Sequence, residues 1–409
     1  MKTAVVVAQT FLSVLKKCVC VVFLISNSAG AQEYFHLLHA DSWVGIEGFN
    51  RYNVIGSVHY YIETRNIHIY CDTTEVFDKE GIYVLRSNVR ILDPDKRLYS
   101  NYIRYNIATE EAYSPDELIF EEPSTSRRFR ADRGTYNYKT NVLITAGNGI
   151  YADSSYTLFG DQFTYIRNEK DISVFGNIRF YDVKNNAVGY ANTADYQQNK
   201  KYGILKGNPR LAVTDSVRGD SLIITGLTME FFGDSIYRYI VTDSVAIQKG
   251  EITAYCQKGV YDTSVSKIYL RGNPRISEET FIVLGREIDL HIRNRALSEM
   301  VVRDSAVVLS DADTSGTYDI QNELRGKTIT VYFNDDKIQK IAASINAEVT
   351  YYGFENNELQ WRQTGTYSQI IITLTDGRID NVNGSKGSGI VTPKSKLQDI
   401  KKKKGMYEY

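Results

Sequence analysis

The sequence predicts an all-β protein built from stacked repeats of about 30 residues. Three observations predict this: a short phrase that recurs at near-constant spacing, a two-residue alternation of apolar side chains behind it, and turn-forming clusters between the apolar runs. The phrase reads Gly56-Ser57-Val58-His59-Tyr60, Ser87-Asn88-Val89-Arg90-Ile91, Gly176-Asn177-Ile178-Arg179-Phe180, Gly207-Asn208-Pro209-Arg210-Leu211 and Gly272-Asn273-Pro274-Arg275-Ile276. Degenerate copies stand at Ser244, Ser305 and Asn346, and spacing places two weaker ones at Glu117 and Asn148. Seven of the nine steps between anchors lie between 29 and 32 residues, and the step of 41 is expected to hold a loop around Asp311–Gly316.

Within each repeat, the third residue after the anchor is apolar or aromatic, and Arg or another residue precedes it. This alternation predicts a strand with one buried face. A second strand per repeat is expected at runs such as Phe163–Ile166, Leu222–Thr225, Ile252–Tyr255 and Thr328–Tyr332. Turn formers separate them, among them Asp93-Pro94-Asp95, Gln198-Asn199-Lys200 and Asn334-Asp335-Asp336. One such unit cannot bury its apolar face alone, but about ten stacked units can. The candidate inward residues are Val58, Tyr60, Val89, Ile91, Ile178, Phe180, Leu211, Val245, Ile247, Ile276 and Val308.

The first 31 residues have the pattern of a secretory signal. Lys2, Lys16 and Lys17 are the only charges, Cys18–Ile25 is apolar, and Ala29-Gly30-Ala31 offers a cleavage site. A signal anchor is the alternative, but the apolar run is too short to span a bilayer. Cleavage leaves 45 basic and 49 acidic residues, a net charge of about −4, which argues against a nucleic-acid partner. The remaining Cys71 and Cys256 fall in different repeats and are expected as separate thiols. Residues 32–390 are expected to form the repeat body, either as one array or as two consecutive modules, and 391–409 a basic disordered tail with Lys401–Lys404.

No phosphate loop, zinc-protease or serine-hydrolase motif occurs, so no catalytic residue, metal or cofactor is expected. The glycine-rich Gly384–Gly389 is read as a turn, and the five histidines as ordinary strand or surface residues. Arg90, Arg179, Arg210 and Arg275 would form an outer ladder paired with carboxylates, the alternative being a phosphate-binding stripe.

The segments 56–60, His68–Asp72, Val84–Ile91, Leu205–Leu211, Asp220–Gly226 and Leu270–Ile276 together resemble the OstA-like family. These are periplasmic lipopolysaccharide-transport proteins of the LptA kind, related to the amino-terminal domain of LptD. The resemblance covers roughly residues 45–350. It implies an open β-jellyroll whose apolar groove shields the acyl chains of lipid A, in a non-enzymatic protein bridging the inner and outer membranes. An inner-membrane export complex and an outer-membrane assembly protein would be its partners, with end-to-end self-association through edge strands. A β-helix polysaccharide-active enzyme and a structural surface solenoid are the alternatives. The first would need carboxylates or basic residues clustered on neighbouring units, and the second a fully packed interior.

Overall fold

The computed structural model describes residues 35–400, apart from 47–49, 155, 183–185, 215–220, 234–236, 263, 279–280, 294–295, 314, 316, 335–336, 376–377 and 398–399. The expected signal, its cleavage site and Lys401–Lys404 therefore lie outside the described residues. Among the described residues, regular structure consists of antiparallel strands with a few single-turn 3-10 helices, which is the all-β, stacked-strand class the repeat predicts. The chain divides into two compact units. Unit 1 runs to Ser124 and includes Asn137–Lys139; unit 2 comprises Thr125–Tyr136 and everything from Thr140 onward.

The recurring phrase is a corner in the middle of the chain's run, not the start of a flat strand. At nine corners two successive residues are left-handed: Gly56-Ser57, Ser87-Asn88, Gly147-Asn148, Gly176-Asn177, Gly207-Asn208, Asp243-Ser244, Gly272-Asn273, Asp304-Ser305 and Ile345-Asn346. Gly, Asn, Asp and Ser tolerate this region, which explains the residue types of the phrase. Each pair faces a single residue of the neighbouring strand, so the ladder carries a bulge there. Between Asp171–Asp182 and Ala187–Gln197, for example, Phe175 pairs with Thr193 and Ile178 with Ala191. The second corner residue often ties the bulge laterally. The Asn88, Asn148 and Asn177 amides donate to Asp72, Asp132 and Asp161, each at 2.8 Å.

A repeat is therefore a strand with a left-handed corner followed by a strand with a one-residue corner. It advances the stack by two strand spacings, about 9.6 Å, rather than one. Asn148 proves a full copy of the phrase, with Gly147 at φ 80°. Glu117 does not: the chain breaks between Glu111–Ser114 and Leu118–Glu122, where Pro115 stands and the Ser114 hydroxyl accepts from the Asp116 amide. The loop expected after Asp311 is present, organised by Asp313, which accepts from the backbone of Ser315 and Tyr318.

Two further expectations need correction. Gly384, Gly387 and Gly389 lie inside the strand Arg378–Pro393, not in a turn. The ring of Tyr367 on the neighbouring strand covers all three, an aromatic side chain standing in for the missing Cβ atoms. Ordered structure also continues past 390. Lys394–Lys396 form a 3-10 turn, and Leu397 is buried with Tyr318 and Leu359.

Corners split each unit's strands into two arms whose inner faces enclose a shared core. In unit 1, Tyr60 beyond one corner meets Tyr83 before the next at 5.6 Å, and Phe35 packs on both and on Tyr105. In unit 2, one buried cluster joins Ala254, Ile276, Val283 and Val308 from one arm to Leu270, Ile288, Val302 and Ile329 from the other.

Candidate functional site: a half-open apolar trough

Strand register gathers the predicted inward residues into lateral rows. In unit 1, Tyr60, Ile69, Ile91, Leu98 and Phe120 are successive partners, and all are buried. In unit 2 one row runs Phe129, Tyr151, Leu158, Phe180, Gly189, Leu211, Ile224, Ile247, Ala254, Ile276, Val283 and Val308. Phe180, Leu211, Ile247, Ile276 and Val308 thus share one row. Val58, Val89, Ile178 and Val245 sit two residues nearer the corner and are buried. All eleven face inward, as the alternation requires.

Burial along the unit 2 row is uneven. Phe129 and Tyr151 are buried at one end, and Ala254 to Val308 at the other. Between them Leu158, Phe180, Leu211, Ile224 and Ile247 are only half-buried. The other arm shows the same opening in the row Tyr196, Gly203, Phe231, Tyr239 and Tyr261, where every side chain is half-buried. Tyr196 stacks on Phe231 at 6.0 Å and Tyr239 on Tyr261 at 6.2 Å. The result is a trough with one aromatic wall and one that is aliphatic apart from Phe180.

Glycine explains why the trough is not filled. Gly189 and Gly203 occupy inward positions where other repeats place a side chain. The ring of Phe180 takes the place of a Cβ at Gly189, and the ring of Phe231 that at Gly203. Both rings are thereby drawn along their own sheets. Half-buried Leu, Ile and Phe in a contiguous run are the kind of apolar surface that marks a binding site.

Burial, followed by the charges of Asp182, Tyr239 and Tyr196, pushes the Tyr156 phenol up to about 12. Burial likewise raises Tyr261. Both remain neutral hydroxyls at physiological pH, and Asp182, the strand partner of Tyr156 two residues beyond Phe180, places a carboxylate at this margin.

The repeat phrase identifies Phe180, Leu211 and Ile247 but not Leu158, Ile224, Tyr196 or Phe231, which lie on strands without a phrase, nor Tyr239, which precedes the Asp243-Ser244 corner on its strand. Their only sequence signal is alternation, and its phase is set by the neighbouring corner.

Other candidates resolve plainly. Arg90, Arg179, Arg210 and Arg275 are exposed on the outer face. The guanidinium groups of the first three lie over rings rather than forming the expected carboxylate ladder: Arg90 over Tyr70 at 5.1 Å, Arg179 over Phe159 at 5.0 Å and Arg210 over Tyr190 at 6.0 Å. Cys71 and Cys256 are free thiols, each opposite the first inward residue after a corner, Val58 and Val245. The histidines are less scattered than their sequence suggests. His59 pairs across strands with His39, and its Nε2 lies 3.0 Å from Nδ1 of His68. Burial, then His68 and His39, lower its pKa. Among the described residues no three His, Cys, Asp or Glu side chains converge to hold a metal ion. Among the same residues no helix is long and apolar enough to cross a membrane.

No protein-family model and no curated protein matches the chain. Among solved structures it is similar to LptH, described as the LptA-homologous periplasmic component of the lipopolysaccharide transport device of Pseudomonas aeruginosa. The match has 19% identity and a TM-score of 0.17, and covers 34% of this chain and 80% of that one.

Proposed function

We propose that the trough of unit 2 holds the acyl chains of a lipid, and that the protein is a non-enzymatic periplasmic carrier of lipopolysaccharide. The half-burial of the row from Leu158 to Ile247, between dry stretches of the same row, carries this reading. The aromatic and aliphatic walls provide contact surface for alkyl chains. Movement along the trough is passive, because adjacent repeats offer similar walls, so the driving energy comes from an inner-membrane export complex. An outer-membrane assembly protein receives the cargo. The long strand Arg378–Pro393 supplies an edge through which a second copy, or a partner with the same fold, extends the path.

Site-specific photo-crosslinking in cells tests this. A crosslinking residue at Leu211, Ile224 or Phe231 is expected to capture lipopolysaccharide. The same probe at the dry positions Ile91 and Val283, or at the outward Arg90, is expected to capture none. Absence of lipid at all three trough positions, in cells that make it, would sink the proposal. A fully structural solenoid predicts that outcome.

A further inference from the structure

The outer face of unit 2 carries a constellation that lipid carriage does not use. Beside the corners Gly176-Asn177 and Gly207-Asn208 lies a depression of about 420 Å³. Phe159, Asn177, Arg179, Tyr190, Asn192 and Asn208 are among the residues that line it, with the buried Ile178 and Ala191 at its floor. The volume falls within the usual range for small-ligand sites, about 300–1,000 Å³.

Its parts are held in register. Phe159, Arg179, Tyr190 and Arg210 are successive lateral partners on four neighbouring strands. The Arg179 guanidinium lies 5.0 Å from the Phe159 ring centre and 5.2 Å from that of Tyr181. Stacking occupies the faces of the guanidinium and leaves its in-plane N–H donors for a ligand. Tyr190 is 41% exposed and stands between Arg179 and Arg210; the Arg210 guanidinium lies over one face of its ring at 6.0 Å, so a sugar packs on the other face. The three asparagines belong to the corners themselves, so backbone geometry fixes their positions. The nearby acid, Asp161, already accepts from the Asn177 amide at 2.8 Å.

An exposed phenol ring beside a planar cation and several amides matches one class of ligand. The apolar C–H face of a pyranose ring packs on the aromatic ring, amides satisfy hydroxyls, and a guanidinium fork binds carboxylate or phosphate. We infer that this depression binds an anionic saccharide, a uronate or phosphorylated sugar, with Tyr190 as the platform and Arg179 as the anion ligand. Arg210 lies two strand spacings from Arg179, about 9.6 Å, and extends the site to a further sugar of the same chain. The same row later pairs Tyr255 with Arg275, a second aromatic–arginine step on this face. The inference stands independently of what fills the trough.

Isothermal titration of the full chain tests it with three probes: trigalacturonate, a phosphorylated core oligosaccharide freed of its acyl chains, and neutral maltotriose. At least one anionic probe is expected to bind, with maltotriose at least about tenfold weaker. Arg179→Gln is expected to lower anionic affinity by about 10- to 100-fold, the scale of one charge-assisted contact. Tyr190→Ala should weaken binding too, and neither change should alter lipid capture at Leu211. Binding of the core oligosaccharide alone identifies a glycolipid headgroup as the source, and binding of trigalacturonate alone identifies an acidic polysaccharide. The inference is overturned if neither anionic probe binds, or if both variants, with unchanged thermal midpoints, bind as the parent does.

Discussion

The interior of unit 1 and the middle of unit 2 are built on the same corner but filled differently. In unit 1 the row Tyr60, Ile69, Ile91, Leu98, Phe120 is dry, and the rings of Phe35, Tyr60, Tyr83 and Tyr105 reach one another from opposite arms. In the middle of unit 2 the equivalent row holds Leu211, Ile224 and Ile247 half-open, and its large rings cover Gly189 and Gly203. The corner therefore sets the backbone, and the side chains decide whether the arms close on a core or leave a trough. A protein interior packed at crystal-like density excludes an alkyl chain, whereas an underfilled one admits it.

The largest effect that distinguishes the two regions is truncation. Phe120→Ala in the dry row should cost about 3–5 kcal/mol, while Ile224→Ala in the trough should cost less than about 1.5 kcal/mol, because its cavity already opens outward. Urea unfolding of both variants checks this, and equal losses would erase the distinction.

The shared corner should respond in opposite directions at two sites. Gly176→Ala places a Cβ at φ 78° against the Asp161 side chain and should destabilise by about 1–3 kcal/mol. Ile345 carries a β-branched side chain at φ 64° and is 55% exposed, so Ile345→Gly should instead stabilise by about 1 kcal/mol. Thermal midpoints that move in the same direction for both would refute the corner reading.

The smallest effect concerns the thiols, one in each region. Burial raises the pKa of Cys71, and that of Cys256 to about 11. Both thiols should therefore alkylate far more slowly at pH 8 in the folded protein than in urea. Cys256 should be the first to react, because Cys71 is buried and Cys256 only half-buried. Rapid labelling of Cys71 would mean that unit 1 is not dry.

The sequence by itself determined the class of fold, the period and the facing of the side chains. Residues that tolerate left-handed backbone are few, so Gly-Asn, Ser-Asn and Asp-Ser at steady intervals are visible without a structure. Alternation is equally local, and it placed Phe180, Leu211 and Ile276 inward and Arg179 and Arg210 outward. The corner itself was harder to read, because a bulge is defined by the strand opposite it; at Glu117, spacing alone suggested a corner where Pro115 breaks the strand. Only the tertiary structure decided which part of the shared interior is closed. That depends on which side chains of the two arms meet, as Tyr60 meets Tyr83, and on where a ring turns to cover a glycine, as Phe231 covers Gly203. Such contacts join residues tens of positions apart, and nothing in the local pattern of either strand specifies them.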